Sequence, residues 1–188
     1  MPPDPCLRGK LGPPDLIRLI VFGAAMNAAP VICRLNEASS EELAFIDLQC
    51  NRPPWSARLF ATEFSNACSR TYGARLEGRL VGFLLRHIVL DEAHIVNLGV
   101  SQDCRRNGIG RHMLASALED MAEEGIRSVT LEVRRSNQPA IAMYASFGFS
   151  EAGVRQSYYS DNREDALLLR LDMRDYAARK SCRLVGNS

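Results

Sequence analysis

Val96–Gly125 reads VNLGVSQDCRRNGIGRHMLASALEDMAEEG, an apolar strand that runs through an arginine- and glycine-rich loop into a long helix. From Ile109 onward, Met113, Leu114, Ala117, Leu118 and Met121 recur at intervals of three and four, which predicts a helix with one face laid on a sheet. Gly125 is placed to end it. The next run, SVTLEV over Ser128–Val133, is β-branched and continuous, the pattern of a central strand covered on both faces. Strand, helix and strand therefore form one parallel crossover.

Working outward, Tyr72–Val100 reads as three antiparallel strands, turned at Glu77-Gly78-Arg79 and at Asp91-Glu92. Val31–Leu35 reads as an earlier strand. Ser39 and Glu42 then stand in capping-box spacing ahead of a helix. Pro53 and Pro54 stop that helix, and a second starts near Ser56 with Leu59, Phe60 and Phe64 on one side. Downstream, Asn137 is a good N-cap for a helix closed by Gly148. Gly153–Tyr159 and Asp165–Met173 are expected to pair as a hairpin, and the last residues as a weakly helical or frayed tail. The expected architecture is a mixed α+β single domain over residues 31–173. Residues 1–30 form an N-terminal extension and 174–188 a tail.

The 188 residues carry a formal charge of +1, so no strongly basic face advertises nucleic acid. Six cysteines (Cys6, Cys33, Cys50, Cys68, Cys104, Cys182) lie far apart without a CxxC pair, a scatter that reads as reduced cytoplasmic thiols. His87, His94 and His112 are isolated in sequence, so no metal site is expected. The run LIRLIVFGAAMNAAP, residues 16–30, has something of a signal peptide's shape. Acidic residues and five prolines upstream spoil the leader, and the run is too short to span a bilayer. Met26 is an alternative start.

Within the loop, Arg105–Arg111 reads RRNGIGR. The first amides of a helix lack carbonyl partners, and the helix dipole adds about half a positive charge there. Glycines at 108 and 110 leave those amides bare, and Arg106 and Arg111 add cationic reach, which together make a diphosphate cradle. A plain glycine turn with solvated arginines fits the same residues. The Gly-Lys-Ser/Thr of a nucleotide-triphosphate loop is missing, and so is the further glycine of a dinucleotide fingerprint.

RRNGIGR, LEVRRSNQPAIAMYASFGF and REDALLLRLDM, in that order, resemble the GCN5-related N-acetyltransferase (GNAT) superfamily. With PPWSARLF and IVLDEAHIVNLGV added, the chain is similar to the RimI-type ribosomal-protein-alanine N-acetyltransferases over about residues 31–173. The resemblance implies the GNAT acyl-CoA N-acyltransferase fold: a mostly antiparallel central sheet with a splayed parallel pair, flanked by helices. It implies acetyl-CoA as cosubstrate, lying along Leu98, Gly99 and Val100, with its pyrophosphate at Arg106, Asn107, Gly108, Ile109, Gly110 and Arg111. Asn137 matches a CoA-contacting position, although its capping role explains it equally. Gln102 and Cys104 replace a proline and an aromatic common in the family, and Asn107 a longer polar side chain.

Acetyl transfer to an amine must remove a proton from an ammonium, whose pKa is about 8 for an α-amino group, and supply one to a thiolate. By the resemblance, Glu132 is the general base and Tyr144 the proton donor. From spacing alone, Glu132 reads as a surface glutamate and Tyr144 as core packing. Cys104 beside two arginines suggests a nucleophile, but no His/Asp partner accompanies it. Trp55, Glu92, Tyr158 and Tyr159 are candidates for the acceptor groove. The implied acceptor is a protein N-terminus, the N-terminal alanine of a small-subunit ribosomal protein, with no nucleic acid or membrane partner. Lysine side chains, other N-termini or small amines are the alternative acceptors, and a non-catalytic acetyl-CoA sensor or docking module is the alternative outside enzymes.

Overall fold

The computed structural model describes residues 29–185, with side chains described through Lys180. Met26, Cys6 and nearly all of the expected N-terminal extension lie outside the described residues, as does the side chain of Cys182. The elements run β1 (Val31–Arg34), α1 (Ser40–Cys50), α2 (Ala57–Phe64), β2 (Ser69–Leu76), β3 (Arg79–Val89), β4 (Glu92–Val100) and α3 (Ile109–Glu123). They continue with β5 (Ser128–Arg134), α4 (Gln138–Phe147), β6 (Ser150–Arg155), β7 (Ala166–Asp172) and α5 (Met173–Val185). The strands form one sheet in the order β1-β2-β3-β4-β5-β7-β6. Every neighbouring pair is antiparallel except β4 and β5.

The register places a break in the middle of the sheet. Leu85 pairs with Asn97 but Arg86 with Ile95, so Val96 is an extra residue on β4. A bulge of this kind bends its strand and increases the local twist. Pairing of β4 with β5 starts at Glu92 and Ser128 and ends at Ile95 and Leu131, immediately before the bulge. Beyond it β4 stays with β3 as far as Val100, and β5 stays with β7 as far as Arg134. The two parallel strands part there.

Helices cover the sheet unevenly. α3 and α4 lie on one face, where Met113, Leu114, Leu118, Tyr144 and Phe147 join Leu84, Leu131 and Leu169 in the larger core. α1 and α2 cover the other face over β2–β4 only, with Leu43, Ile46 and Phe60 packed on Phe83 and Leu85. Each fully buried side chain of this size contributes about 1.5–3 kcal/mol. β5 is therefore not covered on both faces as its apolar run suggests. Val129, Leu131 and Val133 are buried, while Thr130, Glu132 and Arg134 alternate with them on the less covered face, where Glu132 and Arg134 line a cleft.

Two local readings change. Ser39 makes no side-chain cap, and the chain enters α1 through a short 3₁₀ turn at Glu37–Ser39 capped by Asn36. Glu42 pairs instead with Arg75 at 2.7 Å. The expected strand over 153–159 starts earlier, at Ser150, and ends at Arg155. Ser157 then takes positive φ, and its N–H donates to Asp165, so Tyr158 and Tyr159 sit in a loop.

Gly99 is required by packing: a Cβ there would lie 2.7 Å from Phe83 Cε1 and 3.2 Å from Cys50 Sγ. Gly99→Ala is expected to lose about 1–3 kcal/mol by overpacking, read as a lower urea midpoint with unchanged slope.

Candidate active site

Where β4 and β5 part, a cleft of about 1090 Å³ opens. It is walled by β4, β5, the start of α3, α4 and the loops around Trp55 and Tyr159. The glycine loop forms one end. Gly108 is the N-cap residue of α3, with φ of 75°, and supplies no side-chain cap. The first helical hydrogen bond runs from His112 N–H to Gly108 O, which leaves the amides of Ile109, Gly110 and Arg111 without helical acceptors. A Cβ on Gly108 would meet only the His112 ring, at 3.7 Å. At Gly110 it would project toward Leu98, Val100 and Met143, each at 3.6 Å, in the mouth between β4 and α4. Neither glycine is demanded by close packing, and both keep the approach to bare amides open.

The arginines divide their roles. Arg105 is tied inward, donating to Val100 O at 3.0 Å and Gln49 O at 2.8 Å, so it fixes the loop against α1. Arg106 holds positive φ and, among the described residues, has no ion-pair partner. Arg111 donates to Ser146 Oγ at 2.6 Å and lies over the Phe147 ring. Of the residues expected to hold the cofactor, Leu98, Val100, Arg106, Gly108, Ile109, Gly110, Arg111 and Asn137 line the cleft. Gly99 and Asn107 do not line it. Gly99 faces Phe83, and the Asn107 side chain donates back to Cys104 O and Arg105 O within the loop. Asn137 caps α4 by accepting the Ala140 N–H at 3.3 Å.

Glu132 and Tyr144 both reach the cleft. The Glu132 side chain is 7% exposed, with Oε2 2.9 Å from His94 Nε2 and Oε1 2.9 Å from Arg155 Nη2. The His94 hydrogen bond first, and then the charges of His94 and Arg155, hold its carboxyl below the usual range against the opposing effect of burial. Tyr144 is buried, its edge against Phe149, and its hydroxyl has no hydrogen-bond partner among the described residues. Burial, then the neighbouring Tyr159, pushes its phenol well above the ordinary value. Cys104 is buried and accepts from Arg79 at 3.2 Å. Burial pushes its thiol up, the opposite of nucleophile activation.

The opposite wall is held by charge. Asp47, fully buried on α1, accepts from Asn97 of the parted half of β4 at 2.9 Å and from the Trp55 N–H at 2.6 Å. Arg134 donates to Arg52 O, Asp161 and Glu164, with its guanidinium 3.8 Å from the Tyr159 ring centroid. One side chain thereby clasps the α1–α2 loop to the β6–β7 loop. Trp55, Tyr158 and Tyr159 line the cleft; Glu92 does not, lying at the paired end of β4 against Ser128. Sequence spacing missed His94, Arg134, Arg155 and Asp47. Only the two-residue alternation of β5, which puts Thr130, Glu132 and Arg134 on one face, hinted at part of this set. Among the described residues no cluster of His, Cys, Asp and Glu could hold a metal ion, and no helix is long and apolar enough to cross a membrane.

A sheet whose parallel pair parts beside an uncapped glycine-rich helix start is the architecture of an acyl-CoA-dependent acyltransferase. Residues 40–149 match the acetyltransferase (GNAT) family model, and the chain belongs to that family, which uses acetyl-CoA. It is 38% identical over 130 residues to the [ribosomal protein bS18]-alanine N-acetyltransferase of Escherichia coli, covering 67% of this chain and 86% of that protein. A Bacillus subtilis protein named as a putative enzyme of the same kind is 36% identical over 117 residues, covering 62% and 78%. The solved E. coli ribosomal-protein-S18-alanine N-acetyltransferase superposes with a TM-score of 0.73 at 33% identity, covering 77% of this chain and 94% of that one.

The depressed Glu132 carboxyl carries a sign. A group whose pKa is lowered by folding contributes stability above its unfolded value, about 4.3, and loses it as pH falls through the folded one. The stability advantage of wild type over Glu132→Gln is therefore expected to persist from pH 7 to about 4.3 and to shrink below it. Urea midpoints of both proteins across pH 7 to 3 check this.

Proposed function

We propose that this protein transfers the acetyl group of acetyl-CoA to the α-amine of an N-terminal alanine, the bS18-type ribosomal protein being its acceptor. The observation that carries the reading is the convergence of Glu132, Tyr144 and the bare α3 amides on one cleft where β4 and β5 part. The relatives named for bS18-alanine acetylation support the choice of acceptor.

The amides of Ile109, Gly110 and Arg111, with Arg106 and Arg111, would hold the diphosphate. The parted half of β4, at Leu98 and Val100, would flank the pantetheine, and Asn137 would border it from α4. Bound there, acetyl-CoA supplies a thioester carbonyl for direct attack by the amine, with no acyl-enzyme. Glu132, ionised at neutral pH, faces the incoming ammonium and draws off its proton. Tyr144 stays protonated because burial disfavours its phenolate, so its unpartnered hydroxyl is a hydrogen-bond donor for the departing sulfur. The loops joined by Arg134 form the acceptor wall, with Trp55, Tyr158 and Tyr159 presented to the peptide.

With a peptide beginning in alanine, thiol release from acetyl-CoA is expected, with product mass spectrometry placing acetyl on the α-nitrogen. Glu132→Gln and Tyr144→Phe are each expected to lower kcat by about 10²-fold or more, the range of general acid–base catalysis. Full rates in both would overturn the assigned roles, and transfer confined to lysine peptides or small amines would overturn the acceptor. Gly110→Val is expected to stay folded yet to weaken acetyl-CoA binding at least about tenfold by filling the mouth of the cradle, measured by calorimetry.

A further inference from the structure

Where α1 ends against the cleft, three polar side chains hold hydrogen bonds that dictate one another. Asp47 is fully buried, and among the described residues its carboxylate is met by N–H donors alone. The Trp55 N–H donates to Oδ2 at 2.6 Å, and the side-chain amides of Asn97, at 2.9 Å, and of Asn51 donate to Oδ1. Asn51 lies four residues beyond Asp47, so the two share one side of the helix end. Asn97 directly follows the Val96 bulge on the parted half of β4. Asn51, Asn97 and Trp55 all line the cleft.

A carboxylate can only accept, so it fixes which end of each amide faces it. Asn97 turns Nδ2 to Asp47, which leaves its Oδ1 directed at Asn51. Asn51 turns Nδ2 inward and donates from it twice, to Asp47 Oδ1 and to Asn97 Oδ1 at 3.1 Å. Both protons of that amide are thereby spent. What remains is Asn51 Oδ1, which accepts from no group among the described residues and belongs to a half-buried side chain on the cleft wall. Flipping the amide would set oxygen against the Asp47 carboxylate and leave Asn97 Oδ1 without its donor. The triangle therefore presents an oriented hydrogen-bond acceptor to the cleft.

This acceptor stands on the wall that faces β5. The next residue, Arg52, gives its carbonyl to Arg134 at 3.2 Å, and Arg134 is two residues beyond Glu132 on the same face of β5. A peptide that brings its terminal ammonium to Glu132 must also strip water from its first backbone N–H, which then needs a new acceptor.

We propose that Asn51 is an acceptor-binding residue: its Oδ1 accepts the peptide N–H between the first and second residues of the incoming chain, and Asp47 is the positioning residue that aims it. The inference rests on the reading of the protein as an α-amine acetyltransferase with Glu132 as base. It deepens that reading, because a lysine side chain or a simple alkylamine carries no N–H at the same spacing from its reactive nitrogen. Such acceptors would leave Asn51 Oδ1 desolvated and unpaired, which discriminates against them.

The test pairs one substitution with one atom change in the acceptor. Peptides beginning in alanine are compared with depsipeptides in which an ester oxygen replaces the N–H between residues one and two. In wild type the ester is expected to lose about three- to tenfold in kcat/KM, the worth of one hydrogen bond, mainly through KM. In Asn51→Leu the peptide is expected to lose a similar factor and the ester little more, so the two penalties do not add. The acetyl-CoA Kd of Asn51→Leu, by calorimetry, is expected to stay within about threefold of wild type. Asp47→Asn lets the Asn51 amide turn over, and is expected to lose the same discrimination between peptide and ester. Equal kcat/KM for the two acceptors in wild type, or additive penalties in Asn51→Leu, would overturn the role of Asn51. Full discrimination in Asp47→Asn would overturn the positioning role alone. Wild type that binds acetyl-CoA but transfers to neither acceptor would overturn the α-amine reading beneath. Should Asn51→Leu not fold, the wild-type comparison and Asp47→Asn carry the decision.

Discussion

Everything in this molecule follows from one interruption of hydrogen bonding, the end of β4–β5 pairing at Ile95 and Leu131. A parallel pair at the centre of a sheet normally stays zipped, because an unpaired buried backbone group costs about 1–3 kcal/mol. Here the extra residue at Val96 turns β4 off course while β3 keeps pairing with it, and β7 keeps pairing with β5. Each strand therefore loses one neighbour but not both. The result is a gap with strand edges on both sides, into which an extended amide-containing chain can fit with its own donors and acceptors.

The two ends of that gap are built from different physics. At one end the donors are bare helix amides, and glycine keeps side chains out of the way. At the other, charged side chains hold loops together. Asp47 ties Trp55 to the parted half of β4, and Arg134 ties the α1–α2 loop to the β6–β7 loop. Glu132 sits one residue beyond the last paired position of β5, still anchored to β7 on its other side. A carboxylate there is fixed in place and yet faces the opening.

Much of this was legible in the sequence. The three-and-four spacing of α3, the strand turns at Gly78 and Asp91, and the crossover to β5 all follow from local patterns that tertiary packing did not override. The glycine loop was legible because bare amides need a particular residue type. Misreadings arose where a neighbouring group took over the expected hydrogen bond, or where a residue's surroundings come from parts of the chain distant in sequence. Ser39 has the spacing of a cap, but Asn36 sits closer to the turn and takes that role. β5 looks covered on both faces because its inward residues are β-branched or aliphatic, while its open face is told only by the sheet order. Asn107 looks like a ligand residue, yet nearer carbonyls claim its amide. His94 reads as isolated along the chain, and its neighbours Thr130 and Glu132 arrive only through the parallel register.

The central claim is that the donor is gripped by the parted half of β4 and the first turn of α3. Amide hydrogen exchange, with and without saturating acetyl-CoA, addresses it residue by residue. The amides of Ile109, Gly110 and Arg111, and those over Val96–Val100 that turn toward β5, are expected to gain the largest protection. Saturable binding that leaves those amides exchanging as before, with protection gathered elsewhere on the chain, would contradict the account.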